Sequence, residues 1–321
     1  MITGFEFFNL SLWLIRSNNA NARKTLEIMH KSGFVNIVGN PNVGKSTLMN
    51  ALVGERISII TSKAQTTRHR ILGIVNGEEF QIIYSDTPGV LKPNYGLQES
   101  MRKFSNSALT DADVLLYVTD VFDSNEKNAD FVEKVSLNPA ALILIINKID
   151  LIDQEKLEVL VDKWSALLPR AEIYPVSALE KFNIEPLFKR ILELLPESPP
   201  FFEKDQLTDK PARFFVTEII REKILLNYDK EIPYAVEVEV EQFQEEERIF
   251  RISAVIYAER DSQKGILIGH GGKSLKKVGT EARKDLEAFF EKKVFLELFV
   301  KVEKNWRSKE LKLRNFGYNP D

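Results

Sequence analysis

The sequence predicts two folded units: a mostly parallel α/β sheet with helices on both faces, then a smaller α+β unit. Three observations carry this. The chain has 321 residues, which is room for about two domains at ~100–200 residues each. Up to about residue 195, short apolar runs alternate with helical patterns, the rhythm of strands joined by right-handed crossovers. The run Pro196-Glu197-Ser198-Pro199-Pro200 then breaks any helix, and beyond it the order of elements changes.

Taken in order, residues 1–30 stand apart from the periodic pattern and are expected to be a dispensable or misassigned extension, Met29 being itself a candidate start. Phe5 to Ile15 is interrupted by Glu6, Asn9 and Ser11 and lacks a basic flank, so it reads neither as a membrane span nor as a secretory signal. In residues 31–195, Phe34 to Val38, Phe80 to Tyr84, Val114 to Val118, Leu142 to Ile146 and Ile173 to Val176 read as strands. Residues 196–208 read as a linker. Residues 209–321 follow as a helix from Pro211 to Leu226, strands Tyr234 to Gln244 and Arg248 to Glu259, a helix, a glycine loop, a helix from Ser274 to Phe290 and a strand from Val294 to Val302. Alternation of Val236, Val238, Val240 with Ile252, Ala254, Ile256 makes the two long strands a hairpin with one buried face.

Composition excludes several chemistries. There is no cysteine, hence no disulfide, thiol nucleophile or thiolate metal site, which fits a reducing cytosol. The three histidines, His30, His69 and His270, form no ligand-like cluster. The formal charge of −3 hides a division: Lys264 to Arg314 carries 14 Lys/Arg against 7 acids, leaving the rest at −10. A basic end on an acidic chain suits an anionic partner, nucleic acid or a membrane surface, and equally suits solvated helix faces. The acidic stretch Glu237, Glu239, Glu241 and Glu245 to Glu247 reads as a solvated strand face.

Directly after the first strand stands GNPNVGKS, comprising Gly39, Asn40, Pro41, Asn42, Val43, Gly44, Lys45 and Ser46, followed by Thr47. Glycines let the backbone wrap a phosphate, and successive N–H groups with the next helix's N-terminus form an anion nest. Lys45 is expected on the β- and γ-phosphates, and the Ser46 hydroxyl on Mg2+. DTPG, Asp86 to Gly89, puts a carboxylate at a strand's carboxyl end, where a water-bridged Mg2+ ligand belongs. NKID, Asn147 to Asp150, follows another strand. The Asp150 carboxylate is expected to accept both N–H groups on guanine's edge, with Asn147 and Lys148 packing against the base and bracing the phosphate loop. Ser177 and Ala178 suit a backbone contact to the guanine O6.

In this order, each at a strand's end, these motifs resemble a translation-factor-class P-loop GTPase domain binding GTP and GDP. That resemblance implies that Thr67, in KAQTTRHR, joins Ser46 and Asp86 on Mg2+ when the γ-phosphate is present. It makes Lys45, Thr67, Asp86 and Gly89 the residues expected to serve hydrolysis. Val90 stands where Ras-like proteins carry a water-orienting glutamine, so intrinsic turnover is expected to be slow, on the order of 10⁻⁴ to 10⁻² s⁻¹. Asn42 matches an asparagine that ligates K+ in related GTPases lacking that glutamine, and K+ dependence is the corresponding expectation.

In the second unit, GILIGHGGKSLKKVG joins an apolar turn to a basic helix through Gly269, His270, Gly271 and Gly272. Such a loop lets a nucleic-acid backbone approach the amides, with Lys273, Lys276 and Lys277 neutralising phosphate and Ile266, Leu267 and Ile268 facing the bases. The element order resembles a type II KH domain. The whole set, with DTPGVLKP and KVEKNWR, resembles the Era family of small-subunit assembly GTPases from about His30 to Tyr318. That resemblance implies binding of the single-stranded 3′ end of 16S rRNA, contact with the 30S subunit, and a monomeric cytoplasmic protein with some peripheral contact at the inner membrane face. A membrane-associated signalling adaptor coupling growth to division is the alternative. A tRNA-modifying GTPase is disfavoured, since that family's C-terminal cysteine chemistry is missing here.

Overall fold

A computed structural model describes residues 30–90, 92–122 and 128–318. The expected extension at 1–30 lies, except for His30, outside the described residues. Strands β1 (Lys31–Gly39), β2 (Ile71–Asn76), β3 (Phe80–Asp86), β4 (Val114–Asp120), β5 (Ala141–Asn147) and β6 (Glu172–Pro175) form one sheet in the order β2-β3-β1-β4-β5-β6. All neighbours are parallel except β2 and β3. The antiparallel edge strand β2 is absent from the sequence reading, because ILGIVN has neither the length nor the alternation that marks a strand.

Every residue of β4 is buried, as expected for a strand covered on both faces. Helices α1 (Lys45–Val53), α2 (Gly96–Ser107), α3 (Ala129–Ser136), α4 (Gln154–Leu167) and α5 (Ile184–Leu194) supply the cover. Leu48, Met49 and Leu52 of α1 and Leu187 and Ile191 of α5 pack on one face. Phe131, Val132 and Val135 of α3 and Trp164 of α4 pack on the other. Because β1 is followed by strands on both its sides, the crevice beyond its carboxyl end is a topological switch point, where open α/β sheets bind ligands.

Residues 196–208 are not a loose tether. Their backbone passes from the start of β1 by β3 to the edge strand β2, with Pro196 accepting from Ser32 N at 3.1 Å and Leu207 accepting from Ile74 N at 2.8 Å. Gln81 fastens the middle by accepting from Phe201 N and Phe202 N at 2.7 and 2.9 Å.

The second unit comprises α6 (Ala212–Asn227), β7 (Val236–Glu245), β8 (Ile249–Ala258), α7 (Asp261–Ile268), α8 (Lys273–Phe290), β9 (Lys293–Val302) and α9 (Glu310–Asn315). Its sheet runs β7-β8-β9, with β8 antiparallel to β7 and parallel to β9. The inward alternation of Val236, Val238, Val240, Ile252, Ala254 and Ile256 meets Ile220 and Ile224 of α6 and Val278, Ala282 and Leu286 of α8.

One expectation about charge needs correction. Glu237 is not solvated: it is 5% exposed, paired with Arg68 at 3.2 Å and hydrogen-bonded by the Tyr318 hydroxyl at 2.5 Å. At the basic end, Trp306, Leu313 and Tyr318 bury themselves against Leu97 and Met101 of α2. Apolar residues at wide spacing within a charged segment dock it, while its lysines stay at the surface.

Candidate functional site

The loop from Gly39 to Gly44 wraps because two of its glycines take backbone angles closed to other residues. Gly44 has φ +94, and a Cβ there would lie 2.2 Å from Asn147 Nδ2. Gly39 is pressed to 2.1 Å from the Val118 carbonyl by the same measure. Gly89 also faces Pro41 closely, its missing Cβ falling 2.6 Å from Pro41 Cα. Lys45 is buried and donates to the Gly39 and Asn40 carbonyls at 3.2 and 2.7 Å. Its ammonium thus closes the loop on itself at the N-terminus of α1, where amides and helix dipole favour an anion.

Ser46, Thr67 and Asp86 converge. Ser46 Oγ donates to Asp86 Oδ2 at 2.7 Å, lies 2.8 Å from Thr67 Oγ1, and Thr67 Oγ1 donates to Asp86 Oδ2 at 3.4 Å. The second oxygen, Asp86 Oδ1, is buried without a well-formed hydrogen bond. Burial pushes the Asp86 carboxyl above its ordinary range, against Ser46, Lys45, Ser58 and Thr67, which favour the charge. Two hydroxyls and an incompletely satisfied buried carboxylate are a hard-oxygen set of the kind Mg2+ takes. Asn42 Nδ2 donates to the Ser62 carbonyl at 3.1 Å, tying the phosphate loop to the segment that carries Thr67.

Asn147 is the pivot of the other half. It donates to the Val43 carbonyl at 2.9 Å and accepts from Ala178 N at 3.0 Å, so one buried amide joins the phosphate loop to the Ser177-Ala178 turn. Lys148, at φ +64, donates to the Asn42 carbonyl at 2.6 Å and to Asp120 at 2.5 Å. Asp150 is exposed at the rim of a cavity of about 480 Å³ that also takes in Gly44, Lys45, Thr67, Asn147 and Ser177. Leu151 and Leu179, 56% and 75% exposed, flank it as apolar walls. Neither leucine nor Asp120 stands out in the sequence, since a leucine signals core by default and Asp120 lies on the strand before the motif it serves. Val90 turns inward with Phe131 and Val132, and its N–H donates to the Gly39 carbonyl at 3.1 Å.

In the second unit Gly269, Gly271 and Gly272 have φ of +71, +57 and +77, and a Cβ on either of the last two would meet open space. They therefore present bare backbone ahead of α8. A groove beside the loop is lined by Gly272, Leu275, Lys276, Arg283, Leu296 and Leu298. His270, Lys273, Lys276 and Lys277 are exposed, although Lys277 faces Glu281 at 3.9 Å. Leu267 departs from expectation: it is fully buried in the core, leaving Ile266 exposed and Ile268 half-buried beside the loop. Helical geometry forces this, because three consecutive residues of a helix cannot share one face. Arg283, Leu296 and Leu298 escape the sequence reading, being distant in the chain from the glycine loop.

Residues 34–148 match the 50S ribosome-binding GTPase family and residues 231–307 the KH domain. The GTPase Era of Syntrophus aciditrophicus is 46% identical over 295 residues, spanning 91% of this chain and 96% of that protein. The chain belongs to the Era family of GTPases. The GTPase Era of Staphylococcus haemolyticus is 42% identical over 91% of this chain and 98% of its own length. Two Era crystal structures superpose with TM-scores of 0.87 at 38% identity, each matched over its whole length. One, from Aquifex aeolicus, covers 90% of this chain and is bound to GDP·AlF4−; the other covers 91% and is in complex with MgGDPNP and nucleotides 1506–1542 of 16S ribosomal RNA. Era membership accounts for both units in one chain.

Proposed function

We propose that this Era-family GTPase binds GTP with Mg2+, hydrolyses it slowly, and uses its KH domain to hold the single-stranded 3′ end of 16S rRNA during 30S subunit assembly. The observation that carries the nucleotide half is the meeting of Ser46, Thr67 and Asp86 beside the Lys45 loop. Mg2+, when bound there, supplies charge neutralisation for the phosphates. Gly39 to Thr47 wrap the phosphates, Asp150 reads guanine, Asn147 and Lys148 hold the base loop to the phosphate loop, and the backbone of the Ser177-Ala178 turn, held by Asn147, lies beside the base oxygen. Gly89 takes its place against the γ-phosphate, pressed on Pro41. Val90, turned into the core, offers no group to a nucleophilic water, which supports slow turnover. Asn42 is the residue proposed to ligate K+.

The RNA half rests on the bare Gly271-Gly272 backbone beside a groove lined by the cations Lys276 and Arg283 and by Leu296 and Leu298. Cations meet phosphate while the leucines meet base faces. The same reading places the protein in the cytoplasm as a monomer, in contact with the maturing 30S particle and with some contact at the inner membrane face. The domains are proposed to be 31–195 and 209–321.

The test is binding of a short RNA matching the 16S 3′ end, against a scrambled control, with a GTP analogue or GDP across a salt series. Sequence-selective binding with a log–log salt slope near −3, from about four phosphate contacts at ~0.7 each, is expected. Binding indifferent to sequence would sink the RNA assignment, and liposome cosedimentation under RNA competition then tests a membrane partner.

A further inference from the structure

The segment that carries Thr67 is gripped from the far end of the chain. Arg221 of α6, 1% exposed, donates through Nη2 to the Thr66 carbonyl and through Nη1 to the Gln65 carbonyl at 3.4 Å. Glu218, one turn earlier, aims the guanidinium, accepting from Nε at 2.8 Å and from Nη2 at 2.5 Å. Burial works against the Arg221 charge, and Glu218 outweighs it, so the guanidinium stays fully protonated. Gln65 sits at φ +57, a conformation a non-glycine residue holds only when its surroundings impose it.

The grip extends to both sides of Thr67. Upstream, Lys63 donates to the Tyr228 carbonyl and pairs with Asp229 at 2.9 Å. Downstream, Arg68 donates to the Pro233 and Val236 carbonyls at 3.0 and 2.8 Å. The KH domain thus fixes the peptides on both sides of Thr67.

We propose that Arg221 is a positioning residue for the GTPase reaction, setting the 65–66 peptide so that Thr67 reaches Ser46 and Asp86. The inference rests on the reading of Thr67 as a Mg2+ ligand in the triphosphate state. A two-pronged donor is required, because two successive carbonyls diverge and one planar guanidinium spans both, whereas a lysine ammonium is a single point on a flexible stem. Holding the loop beforehand removes ordering entropy that Mg2+·GTP would otherwise have to supply. GDP does not engage Thr67 and gains nothing from the grip.

The test uses the full chain and two variants. Arg221→Lys keeps a cation beside Glu218 and loses the fork; Glu218→Gln combined with Arg221→Met removes both buried charges together, so no carboxylate is stranded. Thermal melting establishes folding. Affinities for GDP and for a non-hydrolysable GTP analogue are measured with and without Mg2+, together with hydrogen exchange across residues 64–68. GTP-analogue affinity with Mg2+ should fall about tenfold, the size of one lost charge-assisted hydrogen bond, while GDP affinity stays within about twofold. Exchange across residues 64–68 should rise in step. Folded variants with wild-type analogue affinity and exchange, or with GDP affinity lowered equally, overturn the proposal. A wild-type chain whose analogue affinity ignores Mg2+ would instead remove the reading of Thr67 itself.

Discussion

Arg68→Met tests how the two domains are held together. The Arg68 side chain is wholly buried, spanning the interface to Val236 and Pro233 carbonyls at 2.8 and 3.0 Å and to Glu237 at 3.2 Å. Methionine fills much of the volume but satisfies none of these acceptors. Removing one member of a buried ion pair strands the other, at a cost of about 3–5 kcal/mol. Glu237 would keep the Tyr318 hydroxyl at 2.5 Å, so the middle of that range, about 4 kcal/mol, is expected.

In urea unfolding followed by circular dichroism, that appears as a lower midpoint. In a thermal scan it is a drop of about 10 °C. Adding Glu237→Gln should restore about 2 kcal/mol, since the stranded charge is then gone. The pH dependence carries a sign. Burial raises the Glu237 carboxyl and Arg68 is the first force opposing this, so in Arg68→Met the carboxyl rises further. The folded variant then binds a proton more readily than its unfolded chain. Its deficit should therefore shrink as pH falls from 7 to 5. A loss below about 1 kcal/mol, or strict additivity with Glu237→Gln, would refute the buried-pair account.

Asp150→Asn should exchange guanine for xanthine preference, seen as GTP affinity falling about a hundredfold, two buried polar contacts' worth, while XTP affinity rises. Gly44→Ala forces a Cβ to 2.2 Å from Asn147 Nδ2 at φ +94, and nucleotide affinity measured by calorimetry should fall at least tenfold. Gly272→Asp meets no steric obstacle but strains φ +77 and puts a carboxylate where a phosphate is proposed to lie; RNA binding should vanish in a gel-shift assay with GDP affinity unchanged. Turnover in K+ and Na+ at equal ionic strength should favour K+, and equal rates would remove the Asn42 role.

The candidate site was legible in the sequence wherever its proposed chemistry is contiguous. GNPNVGKS, DTPG and NKID each sit at the carboxyl end of a strand, and strand ends are recognisable from short apolar runs, so motif and location could be read together. The glycine loop before α8 was legible because its glycines and lysines are also contiguous in the chain. Strand β2 was not, because an antiparallel edge strand gains its stability from pairing with β3 rather than from its own pattern. The burial of Leu267 was not legible either, because a helix turns consecutive side chains to different faces and packing decides which face is covered.

What the sequence by itself determined is the set of local devices: which backbone can wrap a phosphate, which carboxylate ends a strand, which loop presents bare backbone. Those depend on bonding geometry within a few residues. Only the tertiary structure decided that Glu237 is buried, that the basic end docks on α2, and that Arg221 holds the peptide before Thr67. Arg68 and Glu237 lie 169 residues apart in the chain, and Arg221 and Thr66 lie 155 apart. Whether a charge on a strand or helix faces water or a partner is set by what packs over it, and no local pattern carries that information.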